Sequence, residues 1–183
     1  MIQYQVAIVV GSLREASLNR KLATAIVKLA PSDFAFKQLE LSDLPFYNQD
    51  NEANPDESVK RFKSEISAAD GLLFVTPEYN RSIPGVLKNA IDIGSRPYGK
   101  SAWSGKPAAV IGVSPGATGT ALAQQHLRNI LAHLDMPTLG QPELFLQAKE
   151  GLFDDAGNIG AGSKQFLQNW MDKYVDWVKK HTL

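Results

Sequence analysis

Val6-Ala7-Ile8-Val9-Val10-Gly11-Ser12-Leu13-Arg14-Glu15-Ala16-Ser17-Leu18-Asn19-Arg20 joins an apolar run, a glycine break and the opening of a helix. The run is mostly β-branched and reads as a buried strand, and a helical pattern follows from about Leu18 to Leu29. A strand that breaks at Gly-Ser and feeds directly into a helix aims unpaired backbone N–H groups at one point in space. Ser12, Ser17 and Asn19 add short side-chain donors there, and Arg14 adds a positive charge. N–H groups, helix dipole and hydroxyls converging in this way hold an anion, and a phosphate fits them. Glycine spacing of the G-x-G-x-x-G type is absent. The loop therefore suits a single terminal phosphate, held bidentately by Arg14, better than a crowded pyrophosphate. An ordinary Ser/Asn helix cap with a surface arginine is the alternative reading.

Working outward, similar apolar runs recur at Phe34–Leu39, Gly71–Thr76, Ala108–Val113 and near Glu143–Leu146. Helical patterns lie between them near 18–29, 57–68, 84–95 and 118–134, and a last one spans about Ser163–Lys180. Strand and helix alternate, which implies a parallel sheet covered on both faces, an α/β fold. Pro84 stands where a first-turn proline is tolerated, and Pro137 is expected to end the fourth helix. The polar stretches Asn48–Glu57 and Asp154–Gly162 read as exposed loops. Trp170, Tyr174 and Trp177 form an aromatic stripe, expected to face the core.

In an open parallel sheet a ligand sits outside the carboxyl ends of the strands. Three loops meet that edge. The second, Thr76-Pro77-Glu78-Tyr79-Asn80-Arg81-Ser82-Ile83-Pro84-Gly85, is stiffened by its prolines. Tyr79 and Ile83 offer an apolar wall, and the N–H groups of Glu78 to Asn80 suit the polar edge of a heteroaromatic ring. A rigid turn with one surface tyrosine is the plain alternative. The expected part of Glu78 is its backbone or the fixing of the loop. The third loop, Ser114-Pro115-Gly116-Ala117-Thr118-Gly119-Thr120, is small enough to let backbone approach a ring, or is a simple strand-to-helix turn.

Composition narrows the classes. The 183 residues fit one domain over 1–183 with room for a cofactor cleft. Lys+Arg and Asp+Glu number 19 each, so the basic excess of a nucleic-acid binder is missing. No apolar run reaches the ~18–20 residues of a membrane span. Met1-Ile2-Gln3-Tyr4-Gln5 carries no basic leader, and a cytoplasmic location is expected. There is no cysteine. Disulfides, thiolate metal sites and Cys nucleophiles are thereby excluded, and with them the Cys-dependent phosphatases that share such a phosphate loop. The three histidines, 126, 133 and 181, show no metal-ligand spacing, and no metal is expected. His126 and His133 read as packing or interface residues. Ser12 is in no G-x-S-x-G elbow.

Gly11-Ser12-Leu13-Arg14 with Ser17 and Asn19, then Thr76-Pro77-Glu78-Tyr79-Asn80, then Ser82-Ile83-Pro84-Gly85-Val86-Leu87-Lys88-Asn89-Ala90-Ile91-Asp92, resemble the NADPH-dependent FMN reductase family. The match is closest to its bacterial quinone and chromate reductase branch. The resemblance runs from Ile8 to the helix before Pro137; the segment 114–119 matches loosely. It implies a flavodoxin-like three-layer sandwich, sheet order 2-1-3-4-5, and bound FMN. It assigns Ser12, Arg14, Ser17, Leu18 and Asn19 to the phosphate. Pro77, Glu78, Tyr79 and Asn80 would line the isoalloxazine ring, and Ser114 would stand near its pyrimidine edge or the ribityl chain. It also implies a homodimer or homotetramer, with contacts on the helix after Pro84 and the helix carrying His126, Arg128 and His133.

The resulting reading is a ping-pong oxidoreductase. NADPH or NADH reduces FMN by hydride transfer and leaves, and a quinone or similar acceptor (chromate, an azo compound, free flavin) then takes two electrons. The flavin carries the chemistry, so no catalytic side chain is expected. Arg81 is a residue of this loop that would select among pyridine nucleotides or substrates. Two alternatives stand beside this reading: an FMN electron carrier serving a protein partner, and a non-flavin module for a phosphorylated metabolite.

Overall fold

The computed structural model describes residues 3–182. Five strands, β1 (Tyr4–Val10), β2 (Phe34–Gln38), β3 (Gly71–Val75), β4 (Ala108–Ser114) and β5 (Leu144–Gln147), form one sheet in the order β2-β1-β3-β4-β5. Every neighbouring pair is parallel. The helices are α1 (Leu18–Ile26), α2 (Glu57–Ala68), α3 (Gly85–Ser95), α4 (Ala121–His133) and α5 (Ala161–Thr182), with short 3₁₀ turns at Val27–Leu29 and Gln49–Asn51. This is the expected flavodoxin-like α/β sandwich.

The period-2 rule sorts the strands' side chains into two cores. Val6, Ile8, Val10, Leu73, Val75, Ile111 and Val113 face α1 and α5, where Trp170 and Tyr174 stack at 5.6 Å. The expected aromatic stripe is therefore core, with Trp177 at its margin donating to the Pro137 carbonyl at 3.0 Å. Ala7, Val9, Leu72, Phe74 and Val110 face α2, α3 and α4. Trp103 fills the centre of that second layer, edge-on to Phe62 at 5.9 Å, with its indole N–H on the Ile91 carbonyl at 3.0 Å. A side chain at Gly94 would run into that indole.

Two expectations shift in detail. Pro137 does not end α4. The helix stops at His133, and the chain turns at Asp135, whose φ is +58°. The helix also starts late, at Ala121, because Gly119 and Thr120 hold φ of +56° and +73°. Gly112 explains the crowding there: a Cβ on it would strike Thr120 Oγ1 and the Thr76 carbonyl. The stretch 154–162 is not wholly exposed either, since Ile159 pairs with Phe153 and is buried.

Candidate cofactor site at the carboxyl edge of the sheet

Loops after β1, β3 and β4 meet at one edge, and each is held there by contacts that reach across the fold. In the first loop Ser12 and Ser17 are buried while Leu13 and Arg14 are exposed. Ser17 caps α1: its Oγ accepts from Arg20 N at 3.2 Å, leaving the hydroxyl proton available. Gly11 N donates to the Val75 carbonyl at 2.9 Å, the last rung of the ladder. From Ser12 to Asn19, among the described residues, the backbone N–H groups meet no protein acceptor. Unpaired N–H groups beside buried hydroxyls and an unpaired guanidinium form a donor set for a dianionic phosphate.

Asn19 stands differently from the other candidates. Its side chain is buried and faces Val113, donating Nδ2 to the carbonyl at 2.9 Å and accepting the N–H at 3.0 Å. The reason lies in the sheet. β3 ends at Val75 and Thr76 N donates to the Ile111 carbonyl at 3.0 Å. The next edge groups of β4 on that side belong to Val113, and the chain beyond Thr76 is Pro77, which has no N–H. The Asn19 amide takes the place of the missing strand. What Asn19 offers a ligand is its backbone N–H.

In the second loop, Tyr79 and Ser82 close a two-residue turn through N–H···O bonds of 3.0 Å in each direction. Its centre, Asn80 and Arg81, lies in the left-handed region at φ +51° and +62°. Asn accepts that conformation readily; for an arginine it costs about 1 kcal/mol. Ser82 Oγ lies 3.0 Å from His126 Nδ1 on α4, which anchors the turn. Glu78 fixes the loop from the other side. Its carboxylate accepts Leu122 N at 3.0 Å and Ala123 N at 3.1 Å, capping α4 from 44 residues away. Thr120, in the capping position, makes no side-chain cap and instead accepts from Gln124 Nε2 at 3.0 Å. The N–H groups of Glu78 and Asn80 have no protein acceptor among the described residues.

In the third loop Ser114 Oγ donates to the Gly116 carbonyl at 3.2 Å, and a side chain at Gly116 would find open space apart from that hydroxyl. Leu13, Tyr79 and Leu122 are large apolar residues left exposed at this edge. The arrangement sets a row of unpaired donors beside a half-apolar ledge, and that donor set fits a flavin mononucleotide. Thr76 is a member of the site that sequence reading passed over. It is fully buried, donates Oγ1 to the Pro77 carbonyl at 2.8 Å and stands 3.3 Å from where a Gly11 Cβ would lie.

The family of NADPH-dependent FMN reductases matches residues 4–151. The chain belongs to that family. It is 55% identical over 177 residues to a quinone reductase of Pseudomonas putida, covering 96% of this chain and 95% of the relative. It is also 52% identical over 176 residues to a 2-hydroxy-1,4-benzoquinone reductase of a Burkholderia species, with 96% of each chain covered. Among solved structures, the flavoenzyme NAD(P)H:(acceptor) oxidoreductase FerB of Paracoccus denitrificans superposes with a TM-score of 0.93. It is 47% identical, over 97% of this chain and 98% of that one.

A separate cavity of about 250 Å³ lies between the segment 45–56, α2 and the end of α3. None of its lining residues belongs to the three loops. Asn89 holds the segment to α3, accepting Tyr47 N and donating to the Pro45 carbonyl, both at 2.8 Å. Glu52 accepts from the Tyr47 hydroxyl at 2.7 Å and from Arg96 Nε at 2.8 Å. These bonds, Arg96's first, hold the Glu52 carboxyl below the usual range. Phe46 at the mouth is 88% exposed and Tyr98 nearby in sequence to Arg96 is 91% exposed. Among the described residues no cluster of three His, Asp or Glu is arranged to hold a metal ion.

Proposed function

We propose that the protein is an FMN-dependent NAD(P)H:quinone oxidoreductase working by ping-pong exchange on one open ledge. The observation that carries the reading is the row of unpaired N–H groups from Ser12 to Asn19, beside Arg14 and continuous with the Tyr79 ledge. When bound, FMN supplies the redox chemistry, accepting a hydride from NAD(P)H and passing two electrons to an acceptor. The chain's own residues bind, orient and polarise. In this reading the hydroxyls of Ser12 and Ser17, the N–H groups of Leu18 and Asn19, and Arg14 hold the phosphate. Pro77, Glu78, Tyr79 and Asn80 wall the ring, with the Glu78 and Asn80 N–H groups as donors to its polar edge, and Ser114 stands on the far rim. Donors fixed before the reaction stabilise negative charge without reorganising. No side chain takes an acid, base or nucleophile role.

One ledge serves donor and acceptor in turn, so the nucleotide leaves before the quinone enters. The names of the Pseudomonas and Burkholderia relatives support quinones as the acceptor class. Chromate, azo compounds and free flavin are further acceptors that an open ledge admits. The electron-carrier reading is disfavoured because an acidic docking surface is its usual requirement, whereas this chain has no net charge and exposes Arg14 and Arg81 at the edge. A homodimer or homotetramer with contacts on α3 and α4 is part of the proposal, supported by the exposed aromatics Phe46 and Tyr98 near α3. So is a cytoplasmic location, where NAD(P)H is available. Steady-state rates with NADPH and benzoquinone varied together test the exchange. Parallel double-reciprocal lines are expected, and lines that intersect contradict it.

A further inference from the structure

The turn that closes the second loop carries a residue whose conformation and surroundings do not suit it. Two-residue turns with both central residues left-handed prefer glycine at the second position, because a side chain there is crowded by its own backbone. Here that position is Arg81, at φ +62°. The side chain is exposed and, among the described residues, makes no hydrogen bond or ion pair. Three of the other five arginines are engaged within the chain: Arg61 with Asp43 and Glu65, Arg96 with Glu52, Arg128 with Glu143 and the Leu139 carbonyl. Arg14 on the first loop and Arg20 at the start of α1 are not, among the described residues. The acid nearest to Arg81 in sequence, Glu78, has its carboxylate turned to the N-terminus of α4. Among the described residues, no bond of the Arg81 side chain itself offsets the conformational cost of an arginine at this position. The turn is also rigid, closed by its two backbone bonds and tied through Ser82 to His126. A rigid turn that carries an exposed, unneutralised guanidinium next to Tyr79 suits an anion from outside.

We propose that Arg81 binds the diphosphate of the nicotinamide nucleotide, the group common to NADH and NADPH. The proposal rests on the ledge reading above, in which the nicotinamide lies beside Tyr79. Distance along the ligand selects the diphosphate. It stands one ribose away from the nicotinamide, whereas the 2′-phosphate of NADPH lies beyond a second ribose. Tyr79 and Ser82 are the ends of one turn, which spans less than about 7 Å. The Arg81 backbone thus lies within about 7 Å of the ring wall, and its side chain extends from there. Arg14 is assigned to the phosphate cradle on the first loop, so the two charges serve different anions.

The test compares Arg81→Gly and Arg81→Lys with the unsubstituted protein, all loaded with FMN. Anaerobic flavin bleaching at varied NADPH and NADH gives the apparent Kd and the limiting rate separately. Calorimetric titration with NAD⁺ and NADP⁺ gives a binding readout that needs no turnover. For Arg81→Gly we expect Kd for both nucleotides to rise by about 10-fold to 100-fold, as for a lost charge-assisted hydrogen bond. The two factors should be equal, the salt dependence of binding should weaken, and FMN affinity and the limiting rate should hold. Arg81→Lys should fall between. Arg81→Gly should unfold at the same temperature as the unsubstituted protein or slightly higher, because glycine relieves the turn. Unchanged Kd values overturn the proposal. So does a loss confined to NADPH, which would put the charge at the 2′-phosphate, or a change confined to the quinone KM. If the unsubstituted protein neither bleaches nor binds either nucleotide, the ledge reading itself fails, and the proposal with it.

Discussion

Asn19, in the first turn of α1, and Arg14, five positions before it on the loop, show how differently two polar residues of one motif are used. Asn19 is inside, bonded twice to Val113 of β4; Arg14 is outside and free. Asn19→Ala leaves a buried N–H and a buried carbonyl without partners. It should destabilise the fold by about 2–4 kcal/mol, seen as a lower urea midpoint at an unchanged m-value. Arg14→Ala should leave stability nearly untouched, because the exposed side chain makes no hydrogen bond or ion pair among the described residues. FMN retention should weaken by at least about 10-fold, with turnover per bound flavin much less affected. Unchanged FMN affinity would remove Arg14 from the phosphate cradle. The sequence motif alone groups both residues as phosphate donors. Only the sheet, with β3 ending ahead of Pro77, separates the one that builds the loop from the one that faces out of it.

At the scale of elements, β1, β3 and β4 were readable because parallel strands buried on both faces are near-continuous apolar runs, whereas the edge strands β2 and β5 are only partly buried. Helix boundaries were readable to within a residue or two except at the end of α1, where the 3₁₀ turn Val27–Leu29 continues the helical pattern, and at the start of α4. There the chain's own crowding at Gly112 and Thr120 sets the start, and no local pattern announces it. The cap of α4 is likewise invisible locally, since Glu78 supplies it across 44 residues. The segment 45–56 was the least legible. Most of it falls in the stretch Asn48–Glu57 that reads as an exposed polar loop, yet Asn89 and Arg96 of the third helix region hold it as one wall of a cavity. Its Glu52 gives the fold a pH dependence with a definite sign. The native carboxyl is held below its usual value, so the bond network stabilises above the ordinary glutamate range and is lost as pH falls through the lowered native value. Glu52→Gln should lower Tm at neutral pH, and the difference should close as pH falls through the lowered native value. A gap that persists in acid would mean that Glu52 acts through packing and not through its charge.

At the scale of the whole molecule, two apolar layers fix a twisted parallel sheet, and its carboxyl edge is where three unusual loops converge. That convergence was the part of the site most open to sequence reading, because strand order and the carboxyl-end rule together place the loops before any coordinates are known. Which donors remain free was not readable, since it depends on contacts such as Asn19 to Val113 and Glu78 to α4. Family membership agrees with the edge as a flavin ledge. The most direct measurement is anaerobic addition of NADPH to the FMN-loaded protein, following the visible flavin band, and then one equivalent of benzoquinone. Rapid, complete bleaching and full recovery of the band on addition of the quinone are expected. A protein that does not retain FMN, or one whose bound flavin stays coloured under NADPH, would contradict it.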